Sequence, residues 1–397
     1  MKVGSVSGST LLACLIMSGA GLFGQGLTLK GQLWTSLTLG DDPASSRSNV
    51  EQTIGYIPSL SLARQLGPLS VLDLEFAYNL GALMDGALGN GEAGTETSSK
   101  LYRLWGRFAT ESLELRLGLQ KIAFGPGRVL RPLMWFDTFD LKDPTGQTDG
   151  VSALRLRWFP WHNLALWGWV IRPDYREFAS PGGRIELGMG AVETGLSYHH
   201  RKNSGLDFTG RQLLPFDNEE ERFALDARWD GFIGLWTEAV ITRGTELAFD
   251  DEINTSTQVM IGGDYTLPWG NGVYVTLEHL WSRSDIGRRY VEELYDADAT
   301  YLEGFREEQT DQVTLLMVSI PWGMFDNVMG LQSYDWENQR QSNFLMWQRS
   351  YDALSLNLIL YSSPERKDYY LNDIPIPLPE TLTGFGNGIQ FMIVFNH

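Results

Sequence analysis

LELRLGLQKIAF (113–124), GPGRVLRPLMWFDTFDLKDPTGQTDG (125–150) and VSALRLRW (151–158) run consecutively from Leu113 to Trp158. The two flanks alternate apolar and polar residues, the period-2 pattern of a strand with one dry and one wet face. Between them lies a connection of about 25 residues, long for an ordered protein and therefore functional or disordered. It carries Pro and Gly, basic Arg128, Arg131 and Lys142, and acidic Asp137, Asp140, Asp143 and Asp149. Its aromatic cluster of Trp135, Phe136 and Phe139 argues against disorder. The stretch reads as a loop folded against a wall of strands.

The same alternation recurs along the chain. Leu27–Leu39 places Leu27, Leu29, Leu33 and Leu37 opposite Thr28, Lys30, Gln32 and Ser36. Val71–Leu80 places Leu72, Leu74, Phe76 and Tyr78 opposite Asp73, Glu75 and Asn79. Leu101–Thr110 sets Tyr102, Leu104 and Phe108 against Arg103 and Arg107, and Val151–Phe159 sets Leu154, Leu156 and Trp158 against Arg155 and Arg157. In the second half, Leu235, Ala239 and Ile241 oppose Glu238, and Val273, Val275, Leu277 and Trp281 oppose Tyr274, Thr276 and Glu278. Convincing amphipathic helices are absent.

Tight turns such as Gly67-Pro68, Glu111-Ser112 and Asp230-Gly231 alternate with long polar connections. Short turns at one end and long loops at the other, with strands of about 10 residues, are the pattern of a transmembrane β-barrel. The expected fold is all-β, an antiparallel transmembrane barrel of about 18 strands, with about 16 as the alternative count. Keeping the alternation requires two strands between Gly183 and Arg201, split near Gly188–Gly190. Arg184–Leu187, Val313–Ile320 and Val328–Trp336 are the weakest strands. A barrel this wide encloses a channel or a plug.

Composition agrees. Of 397 residues, 43 are Gly and 12% are Phe, Trp or Tyr, which suits many strands, turns and aromatic belts. The formal charge of −18 argues against nucleic acid as a partner, because phosphates need Lys and Arg. Residues 1–24 read as a secretory signal, with Lys2, the apolar run Leu11–Met17 and small residues after it. Leu-Leu-Ala-Cys14 also resembles a lipobox. Cys14 is the only cysteine, so a cleaved chain has no disulfide. The barrel is expected over 25–397, in contact with outer-membrane lipid.

With this strand count, 125–150 is the third long loop. Here the sequence resembles the bacterial outer-membrane porins, through the signal, the LRLGLQKIAFG strand (115–125) entering the loop, and a last strand closing on Phe395. Asn396-His397 beyond that aromatic depart from the family pattern. The resemblance implies that the third loop folds inward and narrows a pore. It also implies passive diffusion of small hydrophilic solutes or ions and location in the bacterial outer membrane. Porins are often trimers, and the sequence neither supports nor excludes a homotrimer. LRLG-x-Q followed by FG is also similar to polysaccharide-exporter barrels, so an exporter of an anionic polymer, or a component of a larger envelope complex, stands as the alternative.

The wet faces beside the loop carry Arg103, Arg107, Arg116, Arg155 and Arg157. Facing Asp137, Asp140 and Asp143, these would set a transverse field that selects ions. The other reading is that they pin the loop by pairing with Asp73, Glu75, Glu114 and the loop acids. Arg128 and Arg131 anchor the loop or line its eyelet. Trp135, Phe136 and Phe139 read as packing at the loop base rather than a sugar-stacking track.

Catalytic readings find little. No Gly-x-Ser-x-Gly elbow or His-Glu-x-x-His helix is present, and His199 is the one wet-face candidate. No cofactor or metal is expected. The acid-rich Glu292–Asp311 and Asp217–Glu221 are weighed as calcium ligands and read as solvated loops.

Overall fold

The computed structural model describes residues 26–40, 50–85, 94–137, 141–172, 178–209, 212–245, 254–284, 309–337, 339–363, 369–371, 374–376 and 386–397. The signal segment with Cys14, Phe139, Asp140 and the acid-rich stretch from Glu292 to Glu308 lie outside the described residues.

Eighteen strands close into one antiparallel sheet. In chain order these begin with β1 (Leu27–Gly40), β2 (Val50–Gly67), β3 (Ser70–Asp85), β4 (Gly94–Ala109), β5 (Leu113–Gln120) and β6 (Val151–Trp161). They continue with β7 (Leu164–Ile171), β8 (Ser180–Met189), β9 (Val192–Thr209), β10 (Gln212–Asp230), β11 (Gly234–Thr245) and β12 (Asn254–Leu267). Next come β13 (Val273–Ser284), β14 (Gln309–Trp322), β15 (Asp326–Asp335), β16 (Arg340–Ser350) and β17 (Leu354–Ser362). A small hairpin, β18 (Tyr369–Leu371) with β19 (Ile374–Ile376), precedes the last wall strand, β20 (Asn387–Asn396). Each wall strand pairs with its chain neighbours, and β1 pairs with β20 to complete the ring. Closure leaves no strand edge to satisfy, which is what a backbone in hydrocarbon requires.

Side-chain parity separates two surfaces. On β5 the odd-numbered leucines face out, and Leu117 keeps 62% of its surface exposed. Leu29, Leu104, Leu154, Leu225 and Leu277 are likewise exposed on other strands. Apolar exposure this continuous is a surface made for lipid. At the short-turn end, Trp161, Phe232, Trp269 and Trp322 stand out from the wall, with Phe232 81% exposed. They form the aromatic girdle that marks a membrane interface. Replacing Leu117 by lysine should cost about 2–4 kcal/mol if the site lies near the bilayer midplane. Denaturant unfolding in lipid vesicles checks this, and a shift below about 1 kcal/mol would place Leu117 outside the hydrocarbon.

Three local expectations are corrected. First, the strand expected over Leu113–Phe124 ends at Gln120. The apolar residues switch from odd to even positions there, and Ile122 and Phe124 turn inward into a buried cluster. Gly118, inside the LRLG motif, has φ of 118°, and a Cβ on it would sit 2.1 Å from the Leu104 carbonyl oxygen. Only glycine fits that backbone. Second, Asp217–Glu221, expected as a solvated loop, lies within strand β10, with β9 and β10 paired out to Thr209↔Gln212. Beyond the lipid a hairpin needs no apolar face, so the periodic signal fades while the ladder continues. Within it, Glu220 pairs with Arg222 at 2.5 Å and Glu221 accepts from the Tyr198 hydroxyl at 2.9 Å. Third, Tyr102 turns inward beside Arg103, because a register shift between Ala77 and Tyr78 places both on the lumen side.

The weak strand at Arg184–Leu187 is β8, and its turn into β9 is made at Gly190 with φ of 63°.

Candidate functional site: the inner wall and the β5–β6 connection

The inward arginines follow from register. Asp73, Arg107, Arg116 and Arg155 are successive cross-strand partners on β3, β4, β5 and β6. Glu114 is opposite Arg157, which is opposite Trp167. Glu114 therefore sits among guanidinium groups. Its Oε1 accepts from Arg155 Nη2 at 2.6 Å, its Oε2 from Arg107 Nη1 at 3.3 Å, and Arg116 lies 3.8 Å away. Arg107 Nε also donates to Asp73 at 2.7 Å. Like charges at this spacing are tolerable only because these carboxylates intervene.

Two arginines are held another way. Arg116 stacks over Trp105 at 4.3 Å, and Arg157 over Trp167 at 4.0 Å and Phe159 at 5.0 Å. A cation held over an aromatic face keeps its position without a short ion pair. Arg103 stacks on Tyr102 at 4.0 Å and donates to the Thr148 carbonyl at 2.7 Å. It thus ties the end of the β5–β6 connection to β4.

That connection, residues 121–150, touches the wall nearly all the way round. It begins in an aromatic nest. Ile122, Phe124, Leu133 and Phe136 pack with Ala153, Trp169, Ala224 and Val240. Phe124 stacks on Trp169 at 5.5 Å, and Phe136 meets the His199 ring edge-on at 4.9 Å. His199 Nδ1 accepts from Trp169 Nε1 at 3.3 Å.

Next the backbone is gripped by two buried carboxylates on the far wall. Glu238 of β11 accepts from Gly127 N at 2.7 Å and Leu133 N at 2.9 Å. Glu278 of β13 accepts from Arg128 N at 2.7 Å, Val129 N at 3.0 Å, Leu130 N at 2.7 Å and Trp236 Nε1 at 3.1 Å. Consecutive backbone N–H groups wrapped round an anion form a nest, and charge-assisted bonds of this kind are the strong ones. A Cβ on Gly127 would lie 2.9 Å from Glu238 Oε1, so the close approach needs glycine there.

The connection then crosses an apolar patch. Val129, Leu130 and Leu141 pack on inward-facing Leu315, Leu331, Phe344, Ile359 and Tyr361 of β14–β17. Gln390 on β20 donates to the Lys142 carbonyl at 3.2 Å. Gln147 bonds Gln32 on β1 at 3.3 Å and Asn79 on β3 at 3.4 Å. Lys100 on β4 pairs with Asp149 at 2.6 Å, and the chain re-enters the wall at Val151.

The remaining expected site residues fall as follows. Arg128 lies 3.7 Å from Asp264 of β12 and 5.6 Å over Trp236. Arg131 pairs with Asp137 at 3.1 Å inside the connection itself. Asp143 accepts from Thr145 N at 2.9 Å, closing its own turn. Among the described residues, the ion pairs of the arginine row are thus made to Asp73 and Glu114 on the wall. Trp135 and Phe136 sit edge-to-face in the aromatic nest.

Sequence reasoning did not single out Glu238 and Glu278. Their partners are backbone N–H groups, which carry no letter in a sequence. The available signal was the company they keep. Their inward neighbours, Trp236 and Val240 on β11 and Thr276 on β13, hold no cation, so each carboxylate needed a partner from elsewhere.

No protein-family model and no curated protein sequence matches the chain. Solved structures do. The chain is similar to OccAB1 of Acinetobacter baumannii, with 10% identity and a TM-score of 0.55 over 93% of this chain and 95% of that one. It is similar to OccD3 (OpdP) of Pseudomonas aeruginosa, with 10% identity and a TM-score of 0.53 over 94% and 91%. It is also similar to a loop L8 deletion form of OmpT, an outer membrane protein of Vibrio cholerae, with 9% identity and a TM-score of 0.52 over 94% and 99%. With its lipid-facing exterior and its ring of antiparallel strands, the chain has the fold of the bacterial outer-membrane porins.

Proposed function

We infer that the protein is a passive diffusion channel of the outer membrane for small hydrophilic solutes or ions. The observation that carries the reading is the path of residues 121–150, which runs along the inner wall from β5 round to β4. A segment so placed narrows a lumen that 18 strands would otherwise leave wide. Arg128 and Arg131 lie on this segment, and the arginine row lies on the wall beside its ends. The local excess is cationic: Arg103, Arg107, Arg116, Arg155 and Arg157 against Asp73, Glu75 and Glu114. Fixed charges in a low-dielectric channel select ions, so the wall favours anions at this level.

A catalytic role has no support at His199, whose ring is packed in the aromatic nest.

Single-channel recording in a planar bilayer under a salt gradient tests the reading. Steady ohmic steps are expected. A correctly folded but silent barrel would overturn it and favour an exporter closed by its own loop. Arg116→Ala and Arg157→Ala remove guanidiniums whose edges are not committed to a short ion pair. Each should move the anion-to-cation permeability ratio about seven-fold towards cations, because one charge at about 7 Å in water is worth about 0.6 kcal/mol with opposite sign for anion and cation. An unchanged reversal potential would remove the arginine row from the selectivity mechanism.

A further inference from the structure

Methionine is distributed unevenly over the wall that seats the connection. On β14–β17 and β20 the lipid side uses Leu, Val, Ile, Phe and Trp and contains no methionine. The lumen side of the same strands carries Met317, Met329, Met346 and Met392. Met329 and Met346 are direct cross-strand partners, and Met317 is opposite Leu331, two residues along β15 from Met329. Met317, Met329 and Met346 are only partly buried, and they pack against the cluster that receives Val129, Leu130 and Leu141. Three thioethers therefore line the seat of the connection with part of their surface open.

We propose that Met317, Met329 and Met346 form an oxidant-sensitive seat, and that their conversion to sulfoxides releases residues 127–130 and Leu141 from the wall. The oxidant class is a small two-electron peroxide that enters by the lumen. The thioether sulfur attacks one peroxide oxygen and the O–O bond breaks. An S–O bond forms, and the leaving hydroxide takes the proton of the sulfur-bound hydroxyl and departs as water, leaving the sulfoxide. Sulfur loses two electrons and the peroxide gains them. The product is polar where the thioether was apolar. A sulfoxide beside the apolar cluster of Leu315, Leu331, Phe344 and Ile359, on which Val129, Leu130 and Leu141 also pack, needs a hydrogen-bond donor that an apolar contact does not supply. Lifting the segment lets water supply it. The proposal rests on the channel reading only for its effect on flux.

The experiment is hydrogen exchange on the refolded full chain before and after hydrogen peroxide, with peptide mapping to locate the sulfoxides. The amides of Arg128, Val129 and Leu130 report directly, because they are bonded to Glu278. Oxidation should speed their exchange about ten-fold or more. Methionine sulfoxide reductases should restore it. A triple variant M317L/M329L/M346L keeps volume and apolarity, so its exchange should match the untreated protein and ignore peroxide. Sulfoxides at all three sites with unchanged exchange would overturn the proposal. An equal response in the triple variant would also overturn it. Conductance recorded in parallel separates the two readings: faster exchange with a silent barrel sinks the channel while leaving the oxidant-sensitive seat in place.

Discussion

Replacing Glu278 by alanine will detach the β5–β6 connection while leaving the barrel intact. Three consecutive backbone N–H groups, of Arg128, Val129 and Leu130, lose their acceptor, as does the Trp236 indole. Hydrogen bonds to a charged group contribute about 1.5–3 kcal/mol each, and a buried donor left without a partner costs about 1–3 kcal/mol. The segment then reaches a lower free energy by lifting its backbone into water. Wall pairing is untouched, because Glu278 takes part in it only through its main chain, so far-UV circular dichroism should be unchanged. Single-channel current should rise or become noisy, and exchange at residues 128–130 should accelerate. Glu278→Gln keeps a carbonyl oxygen without the charge and should fall between the two. A Glu278→Ala channel with wild-type current and wild-type exchange would show that Glu238 and the apolar seat hold the segment without Glu278.

Glu114→Gln will shift the channel towards anions. Glu114 is the carboxylate nearest to Arg155, and it also lies within 4 Å of Arg107 and Arg116. Neutralising it adds one net positive charge to the row while keeping an oxygen for Arg155 to donate to. One unit charge at about 7 Å in water is worth about 0.6 kcal/mol with opposite sign for anion and cation, or about a seven-fold change in permeability ratio. The sign is opposite to that of Arg116→Ala, so the two variants bracket the wild type. Reversal potentials at low salt give the clearest reading, since screening shortens the reach of each charge. A Glu114→Gln channel that moves towards cations, or does not move, would assign the row to structure rather than selection.

The wall was legible because one face of each strand must meet lipid and the other must not, which imposes a strict period of two. Where both faces are dry the period vanishes. Val313–Ile320 and Val328–Trp336 read weakly for this reason: their inward residues, such as Leu315, Met317 and Leu331, are as apolar as their outward ones. The end of β5 was misplaced at the point where Ile122 and Phe124 change phase. The arginine row followed from alternation, and its mutual proximity followed from adjacent strands. The clasp made by Glu238 and Glu278 could not follow, because backbone amides hold the other half of it.

Residues 121–150 have a consequence for how the ring is made. The first and last wall strands meet along one seam, β1 against β20. The same inner segment holds both sides of that seam, through Gln390 on β20 and Gln32 on β1. It acts as a strap across the junction of the chain's two ends, supplied from a third of the way along the sequence. Parting the seam sideways would mean breaking the strap's bonds as well as the ladder. The ring is therefore closed twice, once in the plane of the sheet and once behind it.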